Sequence, residues 1–361
     1  MTTTMLPVSI ITGFLGSGKT TLLNRLLQHK SLRMSLVIIN EFGEVGIDHL
    51  LVSTPSENLR LLSNGCLCCE VKGDLVETLT DVSLKRARGE IPAYDRILIE
   101  TTGLADPVPI VQTIVTDTDL SPLYRLDTVV GVVDAVHASG QLGTQDEVRK
   151  QIAVSDVLLL SKTDLVAPGG DDALREAVRK INPTAELIPV LHGEIDPEVL
   201  FGRGAVEPGA RKADVERWLG EERSTWPKPG RGNSYTRHAG DIDTFTLYHE
   251  RPVSRMGLIT WLSMLASFQG PRLLRVKGLV NVAGEPVVIH GVQTVIHEPV
   301  QLDTWPSDDH GTRIVFIVRG IDRDALKRTF AAFDMPEPTG EAKSIDPAAY
   351  ARFLEAAKQF M

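Results

Sequence analysis

The chain has 361 residues, more than one hydrophobic core usually organises, so we expect two domains. Its formal net charge of −9 comes from 38 basic and 47 acidic residues, and no long basic run could neutralise a phosphate backbone, which argues against nucleic acid as a partner. Residues 1–12 lack the features of a secretory signal and no apolar stretch approaches membrane-spanning length, so the sequence predicts a soluble, cytoplasmic protein without a membrane partner.

The first motif lies near the N-terminus, where a strand-like apolar stretch leads through a glycine-rich turn into helical spacing. Residues 13–20, GFLGSGKT, match the phosphate-binding pattern G-x-x-x-x-G-K-[ST]. Backbone N–H groups of such a loop converge on phosphate oxygens at a helix N-terminus. Lys19 is expected to reach the β- and γ-phosphates, and the Thr20 hydroxyl to coordinate Mg²⁺. The predicted phosphate-binding residues are Gly13, Gly16, Ser17, Gly18, Lys19, Thr20 and Thr21; the alternative is a turn that binds nothing.

A loop of acids and glycines, NEFGEVGID at residues 40–48, follows the next apolar stretch. Such a loop after the first crossover helix is positioned to sense a γ-phosphate, and loops of this kind commonly order on GTP binding and relax on hydrolysis. Glu41 and Asp48 are therefore candidates for positioning the attacking water or supporting Mg²⁺. A solvated acidic turn is the alternative.

All cysteines of the chain, Cys66, Cys68 and Cys69, fall within four residues. A disulfide is a poor explanation, because cytosolic thiols are kept reduced and a bridge between sequence neighbours would be strained. Clustered thiols in a reduced compartment indicate a soft metal or redox chemistry, and burial as small apolar side chains is a further alternative. The turn signal at residues 64–65 predicts that the three thiols lie on a loop entering a helix that begins near Gly73.

Two further apolar stretches end in acids. Residues 97–99 read as a buried parallel strand followed by Glu100 and Gly103, and ligands of open α/β sheets sit beyond the carboxyl ends of strands. Glu100 and Gly103 are therefore expected to face the γ-phosphate and Mg²⁺. A later strand ends in Asp134, for which we favour a structural role, with His137 as a local hydrogen-bonding residue.

The segment DVLLLSKTD places Ser161, Lys162 and Asp164 after the apolar strand 157–160. A carboxylate there can accept hydrogen bonds from the ring N–H and the exocyclic amine of guanine, a donor pair that adenine lacks. Asp164 is the predicted guanine reader, Lys162 would pack its stem against the base, and Ser161 stands where most guanine-nucleotide proteins have Asn or Thr. The pattern favours GTP over ATP, and a charged turn is the alternative.

Strands and helices alternate to about residue 200, which predicts a doubly wound, mostly parallel sheet in a domain spanning 1–219. Residues 220–241 are rich in Gly, Pro and charge and are typical of a linker. The pattern of 242–361 predicts a smaller α+β domain with a largely antiparallel sheet, a surface for client docking or for a homodimer. His290 and His297 are expected at strand edges, in structural roles.

Together these motifs resemble one family, the CobW/YjiA-type P-loop GTPases of metal homeostasis, which include zinc-transfer metallochaperones. The resemblance rests on GFLGSGKTTLLN at 13–24, NEFGEVGID at 40–48, NGCLCC at 64–69, ETTGLADP at 100–107 and SKTD at 161–164, with HGEIDPEVLF at 192–201 and LLRVKGLV at 273–280. It implies slow GTP hydrolysis that serves delivery of a metal ion to a client protein. Ser161 departs from the common family pattern, and the histidine-rich tract of some members is missing.

Three thiolates suit Zn²⁺ or Cu(I) and leave one coordination position for water, a carboxylate such as Glu44, or an incoming client ligand. We therefore expect GTP, GDP, Mg²⁺ and Zn²⁺ as ligands, with zinc at Cys66, Cys68, Cys69 and Glu44, and nucleotide state changing the metal affinity. Two other functions stay open. One is a GTP-dependent maturation factor for a cobalt, iron or cofactor-dependent enzyme, and the other is a metal sensor or buffer with negligible turnover.

Overall fold

The structure, a computed structural model, describes residues 5–40, 59–61, 67–71, 75–204, 215, 218–219, 236–237 and 242–335. The chain forms two compact units, one within Met1–Arg179 and Ala185–Ala205 and the other within Lys180–Thr184 and Val206–Met361. No helix in the described ranges is long and apolar enough to cross a membrane. The predicted linker at 220–241 lies outside the described residues except for 236–237, and the predicted domain boundaries stay predictions.

The first unit is built on one sheet. Its strands are β1 (Leu6–Gly13), β2 (Ser35–Asn40), β3 (Leu59–Leu61), β4 (Leu67–Val71), β5 (Arg96–Thr101), β6 (Tyr124–Asp134), β7 (Val157–Ser161) and β8 (Glu186–Val190). They lie in the order β3-β4-β2-β5-β1-β6-β7-β8, and every pair is parallel except β3 with β4. The predicted parallel, doubly wound sheet is confirmed.

Seven helices of the described residues lie between or after these strands. They are α1 (Lys19–Leu26), α2 (Leu75–Ala87), α3 (Val108–Thr116), α4 (Ala138–Thr144), α5 (Asp146–Val154), α6 (Asp172–Ile181) and α7 (Pro197–Leu200). The apolar face of α1, with Leu22, Leu23 and Leu26, packs into one core with the middle of the sheet, including Ile11 and Val132. A short α1 is therefore held by burial, which supplies most helical stability in proteins.

The cysteine segment differs from the sequence expectation. Cys68 and Cys69 belong to β4, where they pair in parallel register with Val37 and Ile38 of β2, so the prediction of a loop is wrong for these two residues. The open edge of β2 offers backbone hydrogen-bonding partners that sequence alone does not reveal, and cysteine behaves as a small apolar residue compatible with a strand. Cys66 lies outside the described residues.

The second unit is an antiparallel sheet covered by helices. Its strands are β9 (Thr236–Arg237), β10 (Ile242–His249), β11 (Leu273–Val282), β12 (Glu285–Val292), β13 (Val295–Ile296), β14 (Val300–Gln301) and β15 (Thr312–Arg319), and its helices are α8 (Arg255–Gln269) and α9 (Arg323–Thr329). The order is β13-β12-β11-β15-β10-β9, with β14 also paired to β12. The predicted α+β fold with a largely antiparallel sheet is confirmed.

His290 lies inside β12, opposite Lys277 of β11, and not at a strand edge as predicted. The ring is 5% exposed and stacks on His297 with centroids 4.8 Å apart. Burial lowers the pKa of His290 well below 6.5, and the cations of Arg275 and Lys277 act in the same direction. A neutral imidazole beside two cations favours the structural role expected for it.

The core of the second unit depends on Phe316 in β15, which is fully buried and packs against Phe245 and Trp261. Phe316→Ala should lower the free energy of unfolding of this unit by about 3–5 kcal/mol through cavity formation. Tryptophan fluorescence during urea unfolding reports it, because all four tryptophans lie in the range 206–361. Ile259→Ala on α8 is the control: Ile259 is 52% exposed, so a change above about 0.5 kcal/mol there would contradict this account of the core.

Candidate nucleotide site

The phosphate-binding loop joins β1 to α1. Gly18 precedes α1 with φ 97°, a left-handed conformation that glycine adopts without strain, and Gly16 is also left-handed at φ 72°. Gly13 ends β1 against the backbone carbonyl of Val132 in β6, where a side chain would overlap it. The three glycines of the motif therefore allow both the sharp turn and its close contact with the sheet.

Lys19 is 8% exposed and donates from Nζ to the Phe14 carbonyl at 3.1 Å. Burial lowers its pKa below the ordinary value of 10.5, and the carboxylate of Glu100 opposes the shift. The ammonium is thus held inside the loop by a backbone carbonyl. A bound anion would stabilise its positive charge in this buried environment.

Thr20 and Glu100 meet at the carboxyl edge of the sheet. The Thr20 hydroxyl donates to Glu100 Oε1 at 2.6 Å, and Glu100 is 5% exposed. The pairing of β1 with β5, in which Ile11 is opposite Glu100, brings the two side chains together. A hydroxyl and a carboxylate are the hard oxygen donors that Mg²⁺ prefers, so these residues fit such an ion.

Gly103 lies against the phosphate-binding loop. A Cβ there would come 2.5 Å from the Leu15 nitrogen and 2.7 Å from its Cα, so only glycine allows this approach. The Gln151 side chain on α5 donates from Nε2 to the carbonyls of Gly103 at 3.0 Å and Ala105 at 3.1 Å. Sequence reasoning missed Gln151; the signal was a polar residue on the apolar face of α5, beside Val148 and Ile152.

A cavity of about 320 Å³ opens beside the loop. It is lined by residues of the loop, of β6 and of the segments after β7 and β8: Ser17, Gly18, Thr21, Leu22, Val132, Ser161, Lys162, Asp164, Leu165, Val190, His192 and Gly193. The predicted base-binding residues Lys162 and Asp164 both line it. Its volume falls in the range typical of small-molecule sites.

Ser161 has a structural partner in this cavity. Its hydroxyl donates to the Ser17 carbonyl at 2.7 Å, which ties the end of β7 to the phosphate-binding loop. Sequence reasoning assigned no role to His192 and Gly193, which are left-handed at φ 52° and 76°. A His-Gly pair after a parallel strand, at the edge where ligands bind, was the signal that could have found them.

Lys162, which follows β7, contacts both the phosphate-binding loop and the end of β6. Its Nζ donates to the Gly16 carbonyl at 2.7 Å and to Asp134 Oδ2 at 2.7 Å. The His137 ring also contacts Asp134, with Nδ1 and Oδ2 3.1 Å apart. The local hydrogen bond predicted for His137 is therefore present.

Several predicted site residues cannot be placed beside these. Glu41, Glu44, Asp48 and Cys66 lie outside the described residues. Within the part of the chain that the structure describes, no three His, Cys, Asp or Glu residues cluster as a metal site. The assignments of these residues, like those of Cys68 and Cys69, stay predictions.

The contact between Gly103 and Leu15 can be tested directly. Gly103→Ala should displace the backbone of the phosphate-binding loop, cost about 1–3 kcal/mol and weaken nucleotide binding. Circular dichroism follows unfolding of the first unit, which contains no tryptophan, and a titration measures nucleotide affinity. Gly143→Ala in α4 is the matched control, since a Cβ there meets no atom within 4 Å. Equal behaviour of the two variants would contradict this account.

Comparison with known proteins agrees with this geometry. Residues 7–189 match the CobW/HypB/UreG nucleotide-binding domain, and residues 242–334 match the cobalamin synthesis protein CobW C-terminal domain. The zinc chaperone YjiA of Escherichia coli (strain K12) is 33% identical over 326 residues, covering 90% of this chain and 97% of YjiA. The zinc chaperone CobW of a Sinorhizobium species is 28% identical over 364 residues, covering 91% and 97%.

Solved structures show the same likeness. The crystal structure of Zn(II)-bound YjiA GTPase from E. coli aligns with a TM-score of 0.68 and 30% identity, covering 91% of this chain and 99% of that one. A Zn(II)-bound triple mutant of YjiA, with a glutamate and two cysteines replaced by alanine, aligns equally well, with a TM-score of 0.68. These matches confirm the family and fold predicted from the motifs: the chain belongs to the CobW/HypB/UreG family of P-loop nucleotide-binding proteins.

Proposed function

We propose that this protein is a GTPase that binds zinc at its Cys-x-Cys-Cys segment and delivers it to client metalloproteins. One observation carries the proposal: the cysteine strand and the nucleotide site share a sheet. Cys69 is opposite Ile38 of β2, and the next row runs from Glu70 through Ile39 to Glu100. With strands about 4.8 Å apart, the backbone of β4 lies about 10 Å from that of β5.

The nucleotide chemistry follows from the residues around the loop. Lys19 and the backbone N–H groups of the loop would bind the β- and γ-phosphates, and Thr20 and Glu100 would hold Mg²⁺. Bound Mg²⁺ neutralises charge on the phosphate oxygens. Gly103, which touches the loop at Leu15, is proposed to sense the γ-phosphate. Glu41 and Asp48 are proposed to position water or to support the metal.

Base selection is proposed to depend on Asp164, with the Lys162 stem against the ring. Both residues line the cavity beside the loop. Ser161, which replaces the Asn or Thr common at this position, is compatible with this proposal. Its hydroxyl donates to the Ser17 carbonyl, and guanine recognition is assigned to Asp164. Selectivity for guanine therefore depends on one carboxylate.

The metal chemistry is proposed for Cys66, Cys68 and Cys69, with Glu44 as an exchangeable fourth ligand. Three thiolates hold Zn²⁺ strongly, and one labile position allows a client ligand to take it. Three relatives, two from Escherichia coli and one from a Sinorhizobium species, are named zinc chaperones, and two others, from Schizosaccharomyces pombe and Dictyostelium discoideum, are named zinc-regulated GTPase metalloprotein activator 1. A metalloprotein client is the partner that these names support.

The hydrolytic role of Glu100 is tested with Glu100→Gln. This change should lower Mg²⁺-dependent GTP turnover about 10- to 100-fold, because an amide replaces the carboxylate beside the Thr20 hydroxyl. Phosphate release measured across a Mg²⁺ titration gives the result, with Glu90→Gln as the control at an exposed acid. Wild-type protein without GTP turnover would overturn the proposed function, and turnover of ATP as fast as GTP would remove the role of Asp164.

Metal delivery is tested by zinc competition against a chromophoric chelator, without nucleotide, with GDP and with a non-hydrolysable GTP analogue. We expect one zinc per chain at the cysteine segment and a change of tenfold or more in affinity between nucleotides, a coupling of about 1.4 kcal/mol. Cys66→Ser, Cys68→Ser and Cys69→Ser should each weaken binding, with Glu77→Gln on α2 as the control.

Stoichiometry must be measured in this titration, because the triple mutant of YjiA that lacks two cysteines is still described as Zn(II)-bound. Zinc affinity that nucleotide leaves unchanged would contradict delivery driven by GTP and favour a sensor or buffer. Turnover stimulated by an apo-metalloenzyme would argue against the sensor. Tighter binding of cobalt or iron than of zinc would favour a maturation factor.

A further inference from the structure

Asp134, at the end of β6, is 4% exposed and accepts four hydrogen bonds. Its two oxygens have different partners. Oδ1 accepts from the backbone N–H groups of Val136 at 2.8 Å and His137 at 3.2 Å, which caps the turn after the strand. Oδ2 receives the Lys162 ammonium at 2.7 Å and lies 3.1 Å from Nδ1 of His137. Oδ1 therefore stabilises the turn after the strand, and Oδ2 binds the ammonium of Lys162.

The carboxyl is held in its charged form. Burial raises its pKa, but hydrogen bonds from Lys162, from the His137 ring and from two backbone N–H groups outweigh burial and bring the pKa below 3.8. At neutral pH a full negative charge therefore faces the Lys162 ammonium. Hydrogen bonds between charged groups are stronger than those between neutral groups.

Lys162 links the Asp134 carboxylate to the nucleotide site. Its ammonium bridges Asp134 and the carbonyl of Gly16 in the phosphate-binding loop, and the residue lines the cavity proposed for the base. Its backbone is left-handed at φ 58°, a conformation that costs a non-glycine residue free energy. Two strong hydrogen bonds at the end of the side chain hold that conformation in place.

We propose that Asp134 is a positioning residue of the nucleotide site, acting through Lys162 on the phosphate-binding loop and on one wall of the base cavity. The inference rests on the proposed function only in requiring that the site binds a nucleotide. It goes beyond the structural role expected from the sequence, because the Oδ2 oxygen is not needed to cap the turn. A loop and a cavity wall fixed before binding reduce the ordering cost of binding.

Because the two oxygens of Asp134 have different partners, a variant can remove the contact with Lys162 and keep the contacts with the turn. Asp134→Asn can keep an oxygen on the backbone N–H groups of the turn, and its amide nitrogen then faces the Lys162 ammonium, so the variant removes only the tether. Asp134→Ser keeps a short capping oxygen and cannot reach Lys162, and it gives a second form of the same change. Asp127→Asn is the matched control at the other end of β6, since Asp127 is also 4% exposed and accepts from Ser9 and from the Gly202 N–H.

Nucleotide affinity is measured by titration with fluorescent GDP and ADP in wild type, Asp134→Asn, Asp134→Ser, Lys162→Gln and the double variant Asp134→Asn with Lys162→Gln. Loss of a charged hydrogen bond predicts a Kd raised about tenfold or more in each Asp134 variant. In the Lys162→Gln background, Asp134→Asn should have no further effect, because a residue that acts through another is not additive with it. Asp127→Asn should keep the wild-type Kd even where it lowers stability.

Effects of Asp134 and Lys162 that multiply in the double variant would overturn the inference, as would a wild-type Kd in the Asp134 variants or a raised Kd in Asp127→Asn. Wild-type protein that binds neither GDP nor ADP would overturn the proposed function and this inference together. A preference for ADP with the same coupling between Asp134 and Lys162 would correct the proposed base and support the inference, because the tether does not depend on which purine is bound.

Discussion

The parallel pairing of β1 with β5 and β6 is the constraint on which the site depends. Parallel strands end at one edge of a sheet, so the segments that follow β1, β5 and β6 meet there without any contact being specified at long range. The phosphate-binding loop, Glu100 and Asp134 come from these three ends. The next strands, β7 and β8, add Asp164 and His192 to the same edge.

Two lysines inside this edge are held by carbonyls of the same loop. Lys19 donates to Phe14 and Lys162 donates to Gly16, so the loop is fixed from both sides by ammonium groups. The two differ in their counter-charge. Lys162 has the carboxylate of Asp134 at 2.7 Å, whereas the pKa of Lys19 is lowered by burial with Glu100 opposing the shift. A bound phosphate would therefore stabilise the charge of Lys19 more than that of Lys162. The ammonium of Lys162 is already paired with a carboxylate and holds the loop in place.

Sequence motifs predicted which residues lie at this edge better than they predicted the contacts that hold those residues in place. The residues of the phosphate-binding loop, Glu100 and Asp164 follow from short patterns whose spacing is imposed by the ligand. Gln151 was not predicted because the sequence shows only a polar residue on the apolar face of α5 and does not show that its partners are the backbone carbonyls of Gly103 and Ala105. The positions of Cys68 and Cys69 were predicted wrongly because a turn signal is local, whereas the edge of β2 with which these residues pair is a feature of the tertiary structure.

The position of β4 also limits how a nucleotide could act on a metal. The parallel neighbour of β4 is β2, and β2 separates it from β5, which ends at the nucleotide site. The chain leaving β2 at Asn40 enters the segment with Glu41, Glu44 and Asp48. A rearrangement of that segment on nucleotide binding would therefore act directly on the strand that pairs with the cysteines, whereas Gly103 lies between Leu15 and Gln151, in contact with the phosphate-binding loop. Among the described strands, β2 lies between β4 and β5, so the proposed effect of nucleotide on zinc affinity would pass through β2 wherever it is carried by this sheet.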